Sequence, residues 1–160
     1  MPVITLVTVV RATPERCFDA SRDLDLHLRS MGDTGERAVA GKTSGLIELG
    51  EEVTWEARHF GIRQRFTSRI TAYDRPRYFQ DSMVKGAFRA FVHDHHFEPS
   101  GDGTVMRDVL TFRSPVALVG AIVDRFVMTG YLIRLLTQRN HVLKTAIESA
   151  SPGASSPGIA

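Results

Sequence analysis

The chain has a single cysteine, Cys17, among its 160 residues. That excludes an intramolecular disulfide and any multi-cysteine metal cage. Neither sign of charge dominates: 20 Lys and Arg stand against 18 Asp and Glu, a formal net charge of +2. This balance gives no reason to expect a nucleic-acid partner, although the pI near 9.0 is basic. Long apolar runs are missing as well. The run 116–123 is broken by Asp124-Arg125, short of the ~20 residues that cross a bilayer, so no stable membrane insertion is expected. Residues 1–10 are apolar but carry no basic leader and no small-residue cleavage site, and the expected address is a reducing cytoplasm. Internal repeats, a phosphate-cradling glycine loop, a nucleophile elbow and a zinc-protease motif are all absent.

What is present is a run of strands followed by one long helix. The composition, 42% hydrophobic and 24% charged, is that of one globular domain. Val3 to Arg11 is rich in β-branched residues and reads as a strand. Thr13-Pro14-Glu15 then opens a short helix, with threonine as cap and an acidic first turn. A second starts at Asp23, where Leu24, His27, Leu28 and Met31 keep helical spacing up to Gly32. From Arg37 the period becomes two. Strands are expected over 37–41, 51–60, 62–73, 78–85, 88–98 and 104–113, separated by glycine-marked turns. Leu46, Ile47 and Leu49, in the loop 42–50, form either a flap or inward-folding loop residues.

Ser114-Pro115 is a good helix start, and no proline follows until Pro152. Val119, Ile122, Phe126, Gly130, Ile133, Thr137, Asn140, Leu143 and Ile147 recur at spacings of three or four, which predicts one helical face turned to the sheet. The domain is expected to span 1–149, with 150–160 a Ser/Pro/Gly/Ala tail. Consecutive strands with short turns make an antiparallel meander, apolar on one side, and the last helix must cover that side. The fold class is α+β.

Strand parity places Phe79, Asp81 and Met83, then Phe91, His93, His95 and Phe97, then Asp108 and Leu110, on the covered face. Two carboxylates and two imidazoles would share an otherwise apolar surface. Buried charge there must pair, meet water or meet a ligand. A register-setting polar network, a ligand-orienting group, and a His–Asp acid–base pair all fit these residues. His93-x-His95 also puts two imidazoles on one strand face, where a carboxylate would complete a facial metal triad. No metal and no cofactor are expected. Arg63, Arg65, Arg69, Arg75 and Arg77 form a basic outer patch, read as a solvated strand face.

The pattern Asp81–Met83–Gly86–Phe88–Phe91–His93–His95–Phe97, with Gly103-Thr104, Asp108, Ser114-Pro115, Gly45, Trp55 and His59-Phe60, resembles the START-like ligand-binding superfamily, also called SRPBCC. It is most similar to the bacterial single-domain branch described as ligand-binding or cell-division-inhibitor-like. The resemblance covers about residues 3–148 and implies a helix-grip fold. In that fold a seven-stranded curved antiparallel sheet wraps a long C-terminal helix, and two short helices close one end. It also implies a cavity for a sterol, lipid, polyketide or aromatic molecule. Phe91 stands where similar sequences often carry tryptophan, and Ala87 where proline is common.

Val53, Trp55, Phe66, Phe79, Met83, Phe91, Phe97, Leu110, Phe126, Gly130 and Ile133 are therefore expected to line a cavity, with Asp81, His93, His95 and Asp108 as its polar groups. The expected function is binding of a small hydrophobic molecule. The alternative is a polyketide cyclase- or dehydratase-like enzyme with His93 or His95 as general base.

Overall fold

The computed structural model describes residues 1–113 and 123–150, without the side chains of 123–125. The element order is β1 (Val3–Val10), α1 (Pro14–Ser21), α2 (Leu24–Ser30), β2 (Arg37–Gly41), β3 (Glu52–His59), β4 (Ile62–Asp74), β5 (Tyr78–Lys85), β6 (Ala90–Ser100), β7 (Gly103–Arg113) and α3 (Thr129–Ser149). A short 3-10 turn, Gly32–Thr34, follows α2, and a π-helical segment, Val123–Met128, leads into α3. The seven strands form one antiparallel sheet in the order β1-β7-β6-β5-β4-β3-β2. β2 to β7 are a meander, and β1 closes against β7 at the far edge. The chain has a helix-grip, START-like fold.

Local chemistry explains the elements. The Thr13 hydroxyl accepts from the Arg16 N–H and Pro14 sits in the first turn, so α1 starts at a fully formed cap. The Asp23 carboxylate accepts from Asp25 and Leu26 N–H and caps α2. β3 and β4 meet at the two-residue turn Phe60-Gly61, both at positive φ (51° and 75°), the twist that suits adjacent antiparallel strands. The β6–β7 corner is tight for another reason: a Cβ on Gly103 would lie 2.4 Å from the Val10 carbonyl oxygen.

Two apolar clusters pin the layers. At the end closed by α1 and α2, Phe18 is fully buried and meets Tyr73, Phe79 and Phe97 edge-on at 5.1, 5.3 and 5.5 Å. At the other end Ile4, Leu110, Phe112, Leu132 and Leu136 pack together, with Phe88 and Phe91 against them.

The loop before β3 folds inward. Ile47 is buried, its N–H donates to the Arg22 carbonyl (3.1 Å), and the Arg22 guanidinium bonds the Ile47 carbonyl, Glu48 and Asp19. Leu49 stays exposed.

The helical face departs from expectation. The α3 residues buried against the sheet and short helices are Leu132, Leu136, Arg139, Asn140, Leu143 and Ile147. The expected set shares only Asn140, Leu143 and Ile147, whereas Phe126, Gly130, Ile133 and Thr137 are exposed. A spacing averaging 3.5 drifts around a 3.6-residue helix, and the observed face is two adjacent rows in steps of four, Leu132–Leu136–Asn140 and Arg139–Leu143–Ile147. Arg139, a charged residue on the buried side, interrupts the apolar pattern that would mark those rows. The expected helix start at Ser114, with Val119 and Ile122, lies outside the described residues, as does the tail beyond Ala150.

Candidate functional site

Between the inner face of the sheet and α3 lies a cavity of about 210 Å³. One water needs roughly 10–15 Å³ of such space, so this is far larger than a packing defect. Of the residues singled out in the sequence, Val53, Trp55, Phe66, Phe79, Asp81, Phe91, His93, His95 and Leu110 line it. Met83, Phe97, Asp108, Phe126, Gly130 and Ile133 do not. Phe97 is buried in the plug around Phe18, and Met83 leans toward Gly86, where a Cβ would meet its sulfur at 2.8 Å. Phe126 and Ile133 are 73% and 40% exposed, on the wrong side of the helix.

Asp108 sits behind the wall rather than on it, and it organises the polar cluster. The register sets Asp81 opposite His93 on β5 and β6, and His95 opposite Asp108 on β6 and β7. Asp108 Oδ1 lies 3.1 Å from His93 Nε2 and 2.9 Å from His95 Nδ1. Its Oδ2 accepts from Asn140 Nδ2 at 2.6 Å. On the cavity side, Asp81 Oδ2 lies 2.9 Å from His95 Nε2 and 4.0 Å from His93 Nδ1. The two imidazoles are 3.9 Å apart between centroids, and His95 stacks on Phe79 at 4.2 Å.

Burial alone would raise both carboxyls, but hydrogen bonds to the histidines outweigh it. Asp81 ends below the ordinary carboxylate range and Asp108 well below it. Burial and the neighbouring His95 charge push His93 down. His95 goes up because two carboxylates flank it, against the opposing effect of burial. Two rings this close do not both hold an extra proton, and His95, with a carboxylate oxygen 2.9 Å from each ring nitrogen, is the better placed to hold it. An ionised carboxylate only accepts, so the nitrogens facing Asp108 both carry hydrogen. The His93 Nδ1 lone pair is then left on the Asp81 side. Chemically the cluster offers one base, one acid and two anionic acceptors at the edge of an apolar chamber.

Further polar groups escaped the sequence reading. Arg139 is 5% exposed, lines the cavity, donates to the Ser21 carbonyl (3.2 Å) and to Asn140 Oδ1 (3.1 Å), and stands 3.6 Å from Asp108 Oδ1. Ser21 Oγ, also on the wall, is buried without a hydrogen-bond partner among the described residues. At the β3–β4 end, His59 Nδ1 and the Tyr131 hydroxyl are 2.6 Å apart, and His27 pairs with Glu36 at 3.2 Å while its ring lies over Trp55. The α3 contributions were legible only from its two rows of fours. The outer arginines each meet a carboxylate: Arg63 and Arg65 on Glu56, Arg69 on Glu52, Arg75 on Asp19, and Arg77 on Asp74.

Comparison with known proteins joins the fold to a family: the model described as "Polyketide cyclase / dehydrase and lipid transport" matches residues 1–148. The chain belongs to that family. No curated protein matches the sequence of this cyclase/dehydrase and lipid-transport family member. Among solved structures it is similar to TTHA0849 from Thermus thermophilus, at 20% identity and TM-score 0.70, covering 91% of this chain and 99% of that one. A START superfamily protein from Mycobacterium smegmatis matches at 13% identity and TM-score 0.69, covering 93% and 99%. Major latex-like protein 151 from Panax ginseng matches at 12% identity and TM-score 0.66, covering 91% and 96%. At these identities the likeness is one of fold. No helix among the described residues is long and apolar enough to cross a membrane.

Proposed function

We propose that this family member binds one small, largely apolar organic molecule in the cavity between the sheet and α3. The observation that carries this reading is the cavity itself: about 210 Å³ walled by Val53, Trp55, Phe66, Ile70, Phe79, Leu110, Leu132 and Leu136, with Asp81, His93, His95 and Arg139 set into that wall. Apolar walls supply affinity and a few placed polar groups supply orientation. Asp81, His93, His95, Arg139 and the Ser21 hydroxyl, unpaired among the described residues, would hold a polar end of the molecule, its carbonyl or hydroxyl. Native mass spectrometry of the purified protein, before and after organic extraction, tests this. One small molecule per chain, removable by solvent and restored from a panel of lipids, sterols and aromatic polyketides, is the expected result. A chain that takes up nothing from the panel overturns it.

A second reading rests on the His93 Nδ1 lone pair and the proton on His95, 3.9 Å apart ring to ring. A base and an acid so placed suit dehydration of a β-hydroxy carbonyl compound: His93 takes the α-proton, His95 protonates the departing hydroxyl, and water leaves. Turnover lost in His93→Ala with retention intact would favour this enzyme. Loss of retention with no turnover to lose favours the binding protein.

A further inference from the structure

We infer that Asp81, His93 and His95 form a site for one divalent first-row transition-metal ion on the cavity wall. One ligating atom from each side chain lies within 4.8 Å of the other two. The atoms that face each other are Asp81 Oδ2, His95 Nε2 at 2.9 Å from it, and His93 Nδ1 at 4.0 Å. Ligands held at ~2.0–2.2 Å from one ion stand roughly 3.0–3.4 Å apart, so binding would draw His93 in from 4.0 Å toward Asp81 and hold the two ring nitrogens, now within 4.8 Å of each other, at that spacing.

A second, independent feature is the support behind the rings. His93 Nε2 and His95 Nδ1, the nitrogens turned away from Asp81, both meet Asp108 Oδ1, at 3.1 and 2.9 Å. A carboxylate behind a ligating imidazole sets its tautomer, aims its lone pair and raises its basicity. Here one carboxylate serves both rings, and Asn140 (2.6 Å) fixes its other oxygen.

The donor set selects the ion. Two imidazoles and one carboxylate suit Zn²⁺, Co²⁺ or Fe²⁺, whereas Mg²⁺ and Ca²⁺ take oxygen ligands. Charge permits it too. Asp81 and Asp108 carry two negative charges, set against the Arg139 guanidinium, which lines the cavity and stands 3.6 Å from Asp108 Oδ1. The ion would take the place of the proton between His95 Nε2 and Asp81, releasing it to solvent. Three protein ligands on one side leave its remaining positions toward the cavity. The site stands whether or not the cavity holds an apolar guest.

Titration of the extracted, metal-free protein with Co²⁺ alone, followed by visible absorption and repeated with Zn²⁺ by calorimetry, tests the inference without any organic ligand. One saturable equivalent is expected, with a d–d spectrum of low coordination number. His93→Ala/His95→Ala should abolish it, and Asp81→Asn should weaken it at least tenfold. Asp108→Asn, which removes no ligand, should weaken it by ~10–100-fold. Absence of a saturable equivalent in the wild type overturns the site, as does full binding in Asp81→Asn. If the double histidine variant fails to fold by circular dichroism, the wild-type stoichiometry and Asp81→Asn decide.

Discussion

Asp108 shows how much one side chain can determine. It is 2% exposed, and its two oxygens meet His93, His95 and Asn140, with Arg139 just beyond. Because an ionised carboxylate cannot donate, it dictates which nitrogen of each histidine carries hydrogen, and so which lone pair faces the cavity. Replacing it by asparagine keeps the shape and removes the charge. Breaking a buried charged pair from one side costs ~3–5 kcal/mol, and urea unfolding of Asp108→Asn should show a loss of that size. A loss within the error of the wild-type midpoint would mean the cluster is held by packing alone. The four-residue cluster was legible in the sequence because strands alternate strictly and the turns are short, so parity alone brings Asp81, His93, His95 and Asp108 together. That Asp108 stands behind the rings was not legible: parity gives a face, not a depth.

At the scale of elements, α1 and the β4–β5 turn are tied by Asp19, whose carboxylate accepts from Arg75 Nε and Nη2 at 3.1 and 2.7 Å and from Arg22 at 3.0 Å. The hydrogen bond from Arg75, opposed by partial burial and helped by Arg22, lowers the Asp19 pKa. A lowered carboxylate pKa adds stability that is fully present above the unfolded value of ~3.9 and is lost as pH falls through the lower folded value. The stability difference between wild type and Asp19→Asn should therefore be flat through the neutral range and shrink to nothing in acid below the ordinary carboxylate range. A difference that persists there would assign the tie to geometry rather than charge. The elements themselves were well marked by caps, glycines and alternation. The helical face was not, because a residue pattern cannot distinguish a 3.5 from a 3.6 repeat over so few turns when Arg139 is buried and Phe126 is exposed. Phe97 was misplaced because its partner Phe18 arrives from α1, a contact no strand pattern encodes.

At the scale of the whole molecule, seven strands curl toward α3, and the described residues pack in two apolar clusters, one containing Phe18, Phe79 and Phe97, the other Leu110, Phe112, Leu132 and Leu136. The hollow between them is the central claim, and filling it tests that claim most directly. Ala57 is 7% exposed and faces the cavity from β3. In a hollow protein, Ala57→Trp should occupy the space and abolish one-to-one binding of an apolar fluorescent dye without lowering the thermal midpoint. In a solid core the same change would overpack and cost ~1–3 kcal/mol. Loss of dye binding at unchanged or higher stability is the predicted result. A destabilised variant, or one that binds the dye as the wild type does, would contradict it.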